Sequence, residues 1–425
     1  MVLHVVRRGE SVWEIARRYG VDADWLSACN AVPPDGALAA GQTLVVRIPR
    51  AVYTVRNGDT LLSVATSYGM TVRELWRRNW PLGGGESLRP GQTLVLSYRD
   101  ERPLGSAAFN GYAYPFIADS LLSAQLPYLT YLAPFTYGIT AAGRLLPPDA
   151  DRLLSAARLH GVLPVMHLST LTEADTFDTA RGELVLTDAA VQEMLIEEAA
   201  ETAEEKDYAG IDVDFEYLPR NLSGAYASFL GQLRGRLRRD RRFLWAALAP
   251  KVRADQPGLL YEAHDYAAVG QNADAVLLMT YEWGYTMGPP MAVSPMNGVR
   301  AVADYAVTEI PPGQIFLGVS NYGYDWPLPY VRGVTRARSI SNQKAIQLAV
   351  QYGVEIQYDE TAKAPFFHYT DEAGIVHEVW FEDGRSLDAR LRLIAEYGFQ
   401  GGGVWNLMRP FPQIWQVMDA LYEIA

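Results

Sequence analysis

A (β/α)8 barrel preceded by two small strand-helix-helix-strand units is the fold this sequence predicts, and three observations carry it. Residues 4–46 and 53–96 repeat one another in register. From residue 107 to the end, short apolar segments alternate with helical stretches. One of those segments carries Asp212, Asp214 and Glu216 at alternate positions, near the strand end where such a barrel gathers its functional groups.

The repeat is read residue by residue. Arg7-Arg8-Gly9-Glu10-Ser11-Val12 matches Arg56-Asn57-Gly58-Asp59-Thr60-Leu61, and Tyr19-Gly20 matches Tyr68-Gly69. Asn30 then matches Asn79, and Gly41-Gln42-Thr43-Leu44 matches Gly91-Gln92-Thr93-Leu94. Each copy opens with a short alternating strand (3–6; 52–55) and passes through a Gly-acid-Ser/Thr helix start. In the first copy Glu14, three residues after Ser11, completes a capping box. Two helices and a closing strand follow (43–46; 93–96). The repeats resemble LysM modules, and that resemblance implies binding of N-acetylglucosamine-containing glycans such as peptidoglycan or chitin. The loops implied in binding follow the first strand and join the second helix to the second strand. On this reading module 1 spans 1–49 and module 2 spans 50–98. Residues 99–106, with Asp100, Glu101, Arg102, Pro103 and Gly105, read as a polar, broken linker.

The barrel is expected over 107–425. Its candidate strands are 107–114, 129–135, 162–168, 210–216, 243–249, 275–281, 315–319 and 401–405, with helices such as 188–206 and 226–239 between them. Glu216, Tyr281 and Trp405 then end the fourth, sixth and eighth strands and share one mouth. A small α+β insertion is expected at about 330–383, with a helix over 340–352 and strands at Tyr358, 366–369 and 376–381.

Composition narrows the function. The chain has 425 residues, 49% hydrophobic and 20% charged, which suits a large core rather than disorder. A net charge of -12 gives no electrostatic reason to bind nucleic acid or an anionic membrane, so a neutral or carbohydrate partner fits better. The 10 Trp, 25 Tyr and 13 Phe include the ring types that stack on sugars, although most such rings form core. A single cysteine, Cys29, excludes an internal disulfide framework and a multi-thiolate zinc site. The six His lack ligand spacing, so no metal and no cofactor is expected; His167 reads as a hydrogen-bonded structural residue or as a substrate contact. No segment reaches the roughly 18 apolar residues of a membrane span, and Met1 leads directly into the repeat without an export signal, so synthesis and initial residence in a cytoplasm are expected.

Side chains two apart on a strand point the same way, and burying an unpaired carboxylate costs several kcal/mol. Three on one face mark a site where acidity is used, and acid catalysis of bond cleavage is the expectation.

At these residues the chain resembles glycoside hydrolase family 18. Gly210-Ile211-Asp212-Val213-Asp214-Phe215-Glu216 is similar to its fourth-strand signature, and Met279-Thr280-Tyr281 and Gly403-Val404-Trp405 to those of the sixth and eighth strands. The resemblance implies substrate-assisted retaining catalysis, in which the sugar's 2-acetamido oxygen attacks its own anomeric carbon. It implies Glu216 as the acid, Asp214 as acceptor of the acetamido N–H, Tyr281 as donor to the acetamido oxygen, and Trp405 as the floor under the reacting ring. Asp212 reads as support for Asp214 or as a buried structural acid. Tyr112, Tyr114, Trp283, Tyr322, Tyr324 and Trp326, with Met279, are expected around neighbouring sugar subsites. One position departs from the family: where an acid is common three residues before Asp212, this chain has Ala209, so Asp212 must find another partner.

Two LysM-like modules ahead of such a barrel resemble the cortical-fragment-lysing enzymes of bacterial endospores. This implies synthesis in the mother-cell cytoplasm and a place at the spore coat or cortex surface. Substrate assistance needs a free acetamido group. N-acetylglucosamine offers one, whereas muramic δ-lactam ties up its nitrogen and N-acetylmuramic acid crowds the same face. An N-acetylglucosaminidase of cortex peptidoglycan or its fragments is therefore expected. A chitinase and a non-catalytic chitinase-like lectin remain the alternatives.

Overall fold

The computed structural model describes residues 1–33, 36–99, 103–172 and 176–425. Eight parallel strands close on themselves: β1 (Ser106–Ala113), β2 (Tyr131–Pro134), β3 (Leu163–Ser169), β4 (Gly210–Asp214), β5 (Phe243–Leu248), β6 (Ala275–Leu278), β7 (Ile315–Ser320) and β8 (Gly401–Trp405). They pair in that order, and β8 pairs with β1. The closure needs glycine at its seam, since a Cβ on Gly401 would lie 1.7 Å from the Ala108 carbonyl oxygen. A two-residue strand at the C-terminus, Glu423–Ile424, pairs with the start of β1.

Strand alternation separates two cores. Ile211, Val213 and Phe215 face outward, where Phe215 stacks on Tyr226 and Phe229 of the helix Ser223–Arg239. Inward-facing Trp245, Leu277 and Phe316 plug the barrel, with Tyr131 T-shaped against Trp245 at 4.7 Å between centroids. Asp212, Asp214 and Glu216 take the inward parity, so the row of acids stands above an apolar plug.

Several expected boundaries move. β4 leaves its ladder at Asp214 and β6 at Leu278, so Glu216 and Tyr281 lie just past their strands. After β6 the chain turns tightly, the N–H of Thr280 donating to Leu278 O and that of Tyr281 to Met279 O. The insertion starts earlier than 330: Gly323–Pro327 and Arg338–Ile340 belong to its five-stranded antiparallel sheet with Gln357–Asp359, Ala364–Thr370 and Val376–Trp380. Its helix begins at Asn342 because Ser341 caps it, leaving Ile340 in a strand. Of the expected linker, 100–102 lie outside the described residues, and Ser106 already belongs to β1.

Both modules adopt the expected unit. In module 1, Val2–Val5 pairs antiparallel with Thr43–Val46 around the helices Val12–Tyr19 and Ala23–Asn30, and the Ser11–Glu14 capping box is formed. In module 2, Pro49–Thr54 pairs with Thr93–Tyr98 around Leu61–Ser67 and Val72–Arg78. The repeated asparagine has one job in both. Asn30 donates to Leu26 O and Val45 O and accepts from Val45 N, while Asn79 makes the same three bonds with Leu75 and Val95. A buried amide with all these partners welds second helix to second strand.

Both modules pack against the barrel. Thr43 Oγ1 donates to Asp383 Oδ2 at 2.8 Å, Gln413 Nε2 donates to Thr43 O at 2.7 Å, and Arg47 pairs with Asp419 of the helix Pro412–Leu421. In module 2, Arg73 Nε donates to Pro127 O at 3.0 Å, and Tyr128 of the barrel donates to Arg77 O at 2.7 Å.

Candidate active site

Asp212 is fully buried and Asp214 5% exposed, whereas Glu216 is half-buried at the mouth. The Tyr112 phenol, rising from β1, donates to Asp212 Oδ2 at 2.7 Å. His167, opposite Asp212 on β3, brings Nε2 to 3.6 Å from Asp214 Oδ2, and its Nδ1 lies 2.6 Å from Thr136 Oγ1. Tyr112 therefore serves Asp212 rather than a sugar, a correction to its expected place in a subsite. Ala209 lies before β4 on the outward parity of Ile211 and Val213, about 10 Å of strand rise from Asp212. An acid is thus not missing from the inward row, and the neighbour Asp212 needed is a phenol.

Burial raises the Glu216 carboxyl well above the usual carboxylate range, and the charges of Asp214 and Glu282 add to the effect. Asp212 is raised by burial and by Asp214, against the opposing pull of His167 and the Tyr112 hydrogen bond. Tyr281, 9% exposed, is also pushed up by burial and then by the surrounding acids, so its hydroxyl stays a proton-bearing donor. The arrangement can deliver a proton from Glu216, accept an N–H at Asp214 and donate a hydrogen bond from Tyr281.

Two supporting residues had no role in the sequence reading. Glu282, at positive φ immediately after Tyr281, accepts hydrogen bonds from the Tyr322 and Tyr324 phenols and sits close enough to bias Glu216. An acid directly following Met279-Thr280-Tyr281 was the available signal. His264 is fully buried, accepts from Ala249 N at 2.9 Å on Nδ1 and donates from Nε2 to Phe215 O at 3.0 Å. Its burial lowers its pKa, in keeping with a neutral ring that fixes the backbone between Asp214 and Glu216. A lone histidine 49 residues away in sequence carries no signal for that role.

The expected aromatics divide. Trp405 and Tyr114 line a cleft of about 900 Å³ beside the acids, together with Phe116, Phe135, Phe177 and Tyr217. Trp405 packs edge-on to Phe135 at 4.9 Å, and Met279 packs beneath it in the barrel core. Two placements correct the sequence reading. Trp326 is fully buried and donates its indole N–H to Gly288 O at 2.8 Å, leaving no face for a sugar. Tyr322 and Tyr324, both nearly buried, spend their hydroxyls on Glu282. Trp283 lies over Gly298 of the helix Met296–Glu309.

A closed parallel barrel with a raised acid, an N–H acceptor, a phenol donor and an aromatic cleft at one mouth is the constitution of a glycosidase. The model of the family Glycosyl hydrolases family 18 matches residues 178–409, and that of the LysM domain matches 4–47 and 53–97; the chain belongs to glycosyl hydrolase family 18 and carries two LysM domains. It is 39% identical over 426 residues to the cortical fragment-lytic enzyme of Bacillus subtilis (strain 168), covering 88% of this chain and 98% of that one. The crystal structure of the Bacillus megaterium QM B1551 spore cortex-lytic enzyme SleL superposes with a TM-score of 0.83 at 37% identity, covering 100% of this chain and 98% of that chain. A chitinase from Chromobacterium violaceum shares the fold, with a TM-score of 0.69 at 22% identity over 74% of this chain and 98% of that one. These domains indicate a glycan containing N-acetylglucosamine as the binding partner. Among the described residues no helix is long and apolar enough to cross a membrane.

Proposed function

We propose that the protein is an N-acetylglucosaminidase that cleaves β-1,4 bonds after N-acetylglucosamine in spore cortex peptidoglycan or its fragments. The single observation that carries this reading is the inward row Asp212-Asp214-Glu216 beside Tyr281, in a chain related along nearly its whole length to enzymes named for the spore cortex. Glu216, kept protonated by burial and its acidic neighbours, gives its proton to the leaving oxygen. The acetamido oxygen attacks the anomeric carbon while Tyr281 donates to it, and Asp214 takes the acetamido N–H and steadies the oxazolinium cation. Asp212 holds Asp214 in place, itself held by Tyr112. Trp405 floors the reacting ring, and Tyr114 with Phe135 continues the apolar wall.

The unhindered acetamido group of N-acetylglucosamine selects the bond, since substrate assistance fails on a δ-lactam. The site of action in this reading is the spore coat or cortex surface, reached after synthesis in the mother-cell cytoplasm, with LysM domains as the tether. Mass spectrometry of spore-cortex digests tests the assignment. New reducing ends at N-acetylglucosamine, absent with Glu216→Gln, are expected; reducing muramic ends would overturn the bond choice, and faster cleavage of chitin than of cortex would favour a chitinase.

A further inference from the structure

We propose that the two LysM domains have divided their work: module 2 alone holds glycan, and module 1 is a bracket that fixes the barrel and its insertion. The proposal rests on the reading that these domains grip N-acetylglucosamine chains through the loop after the first strand and the loop before the second. In the second of these loops the two copies share sequence and backbone form. Gly41 and Gly91 have φ of 80° and 86°, and each donates its N–H to the equivalent valine carbonyl, Val6 or Val55. Their surroundings are opposite.

In module 1 that loop is built into the insertion. Ala39 is 4% exposed and belongs to the insertion's apolar core with Ile340, Leu348 and Ile356. Ile356 N donates to Ala40 O at 2.9 Å, and Arg385 Nη2 donates to Gly41 O at 3.2 Å. A Cβ on Gly41 would lie 1.9 Å from Ile356 O, so backbone rests on backbone. Thr43, 1% exposed, gives its hydroxyl to Asp383. A ligand gripping this loop through its carbonyls would have to displace these contacts.

Module 2 keeps the same stretch open. Arg89, Pro90 and Thr93 are exposed, and nothing lies within 4 Å of where a Cβ on Gly91 would sit. The loop's first part is anchored, with Gly84 against Ser123 O and Gly85 O accepting from the Trp76 indole at 2.9 Å. Beyond that anchor, Leu82, Gly85, Ser87, Arg89 and Gln92 line a groove of about 530 Å³. A cleft does border module 1 and takes in Ala40 and Gly41 together with Leu3 to Arg8, Arg18 and Tyr19, but Glu355 of the insertion forms part of its wall and the carbonyls of Ala40 and Gly41 are already spent on Ile356 N and Arg385. Gly9 and Glu10 of the first loop line a different groove, with Arg8, Glu14, Arg17 and Arg18.

Position adds a consequence. Module 2 docks on Pro127, Leu129 and His160, which immediately precede β2 and β3, at the end of the barrel opposite the mouth. The stretch of glycan it holds is therefore not the stretch being cut: the tether grips one strand, or a distant part of it, and leaves the cleft free to take another.

The test uses the full chain with Glu216→Gln and Trp405→Ala, so that the mouth neither cuts nor grips firmly, and measures retention on insoluble chitin and on peptidoglycan sacculi. Asn57 and Arg8 are equivalent exposed positions of the first loop, and each is replaced by Trp, with Ser87→Trp as a second block in module 2. Thermal unfolding checks that each variant folds. Asn57→Trp and Ser87→Trp are expected to weaken retention about tenfold or more, and Arg8→Trp by less than about twofold. A loss with Arg8→Trp equal to that with Asn57→Trp would overturn the division of labour. If no variant changes retention, the glycan-holding reading of both modules fails, and the proposal with it.

Discussion

Asp419, in the helix Pro412–Leu421, lies between Arg47 of module 1 and Arg77 of module 2, the latter at 3.4 Å, with its side chain 9% exposed. Asp212 and Asp214 are buried in the barrel and Glu216 is half-buried at its mouth, and among the described residues the three form no ion pair with lysine or arginine. Burial alone would raise Asp419, but the two guanidinium groups outweigh it and hold the carboxyl below the usual range. At the mouth burial acts on Glu216 with acids for neighbours, and the carboxyl is held above that range. The difference teaches how to tell a carboxylate that holds the fold from one that does chemistry. The first is enclosed with cations, which favour its ionised form, and a carboxyl placed to give a proton stands among acids without them, which favours its protonated form.

Exchanging each residue in turn sharpens the contrast. Glu216→Gln should lower turnover of N-acetylglucosamine oligomers by about 10²- to 10⁴-fold and leave the unfolding temperature equal or higher. The sign follows from linkage. A carboxyl raised in the folded state makes folding less favourable as pH rises through and above its unfolded value, so removing it relieves that cost near neutrality. A large drop in melting temperature would place Glu216 on the structural side of the comparison.

Arg47→Ala should do the reverse. It leaves Asp419 buried beside a weakened set of cations and should cost about 3–5 kcal/mol in chemical denaturation, with turnover per folded molecule unchanged. Arg47→Met with Asp419→Leu should recover most of the loss. The pH dependence carries the opposite sign too: the depressed Asp419 contributes stability that is present above pH about 4 and is lost as pH falls through its lower folded value, and the double variant should lack that acid-side loss.

The smallest effect is expected at Glu282. Its charge helps raise Glu216, so Glu282→Gln should lower the Glu216 value and move the basic limb of the kcat/KM profile toward lower pH. A limb that stays in place would remove Glu282 from the electrostatics of the acid.

The acidic row was legible in sequence because its signal is local. Alternation on one strand fixes which residues share a face, and three acids on a buried face have no structural reason to be there. The repeats were legible for a like reason, and Asn30 and Asn79 show why the match exists, since each completes the same buried hydrogen-bond set. Which way a ring past a strand end points was not legible. Tyr112 keeps the inward parity and so meets Asp212, whereas Tyr322, Tyr324 and Trp326 run into an insertion sheet that starts earlier than composition suggested. His264 and the docking of Ala39 to Gly41 depend on partners far away in sequence, and no spacing rule reaches them.

The central claim is that Glu216 supplies the proton to the leaving group. The most direct measurement is the first-turnover release of dinitrophenolate from a dinitrophenyl glycoside of N-acetylglucosamine oligomers, compared with cleavage of the unmodified oligomer, in wild type and in Glu216→Gln. Dinitrophenolate leaves without a proton, so the variant is expected to release it at close to the wild-type rate while losing the natural cleavage by about 10²-fold or more. An equal loss on both substrates would contradict the assignment.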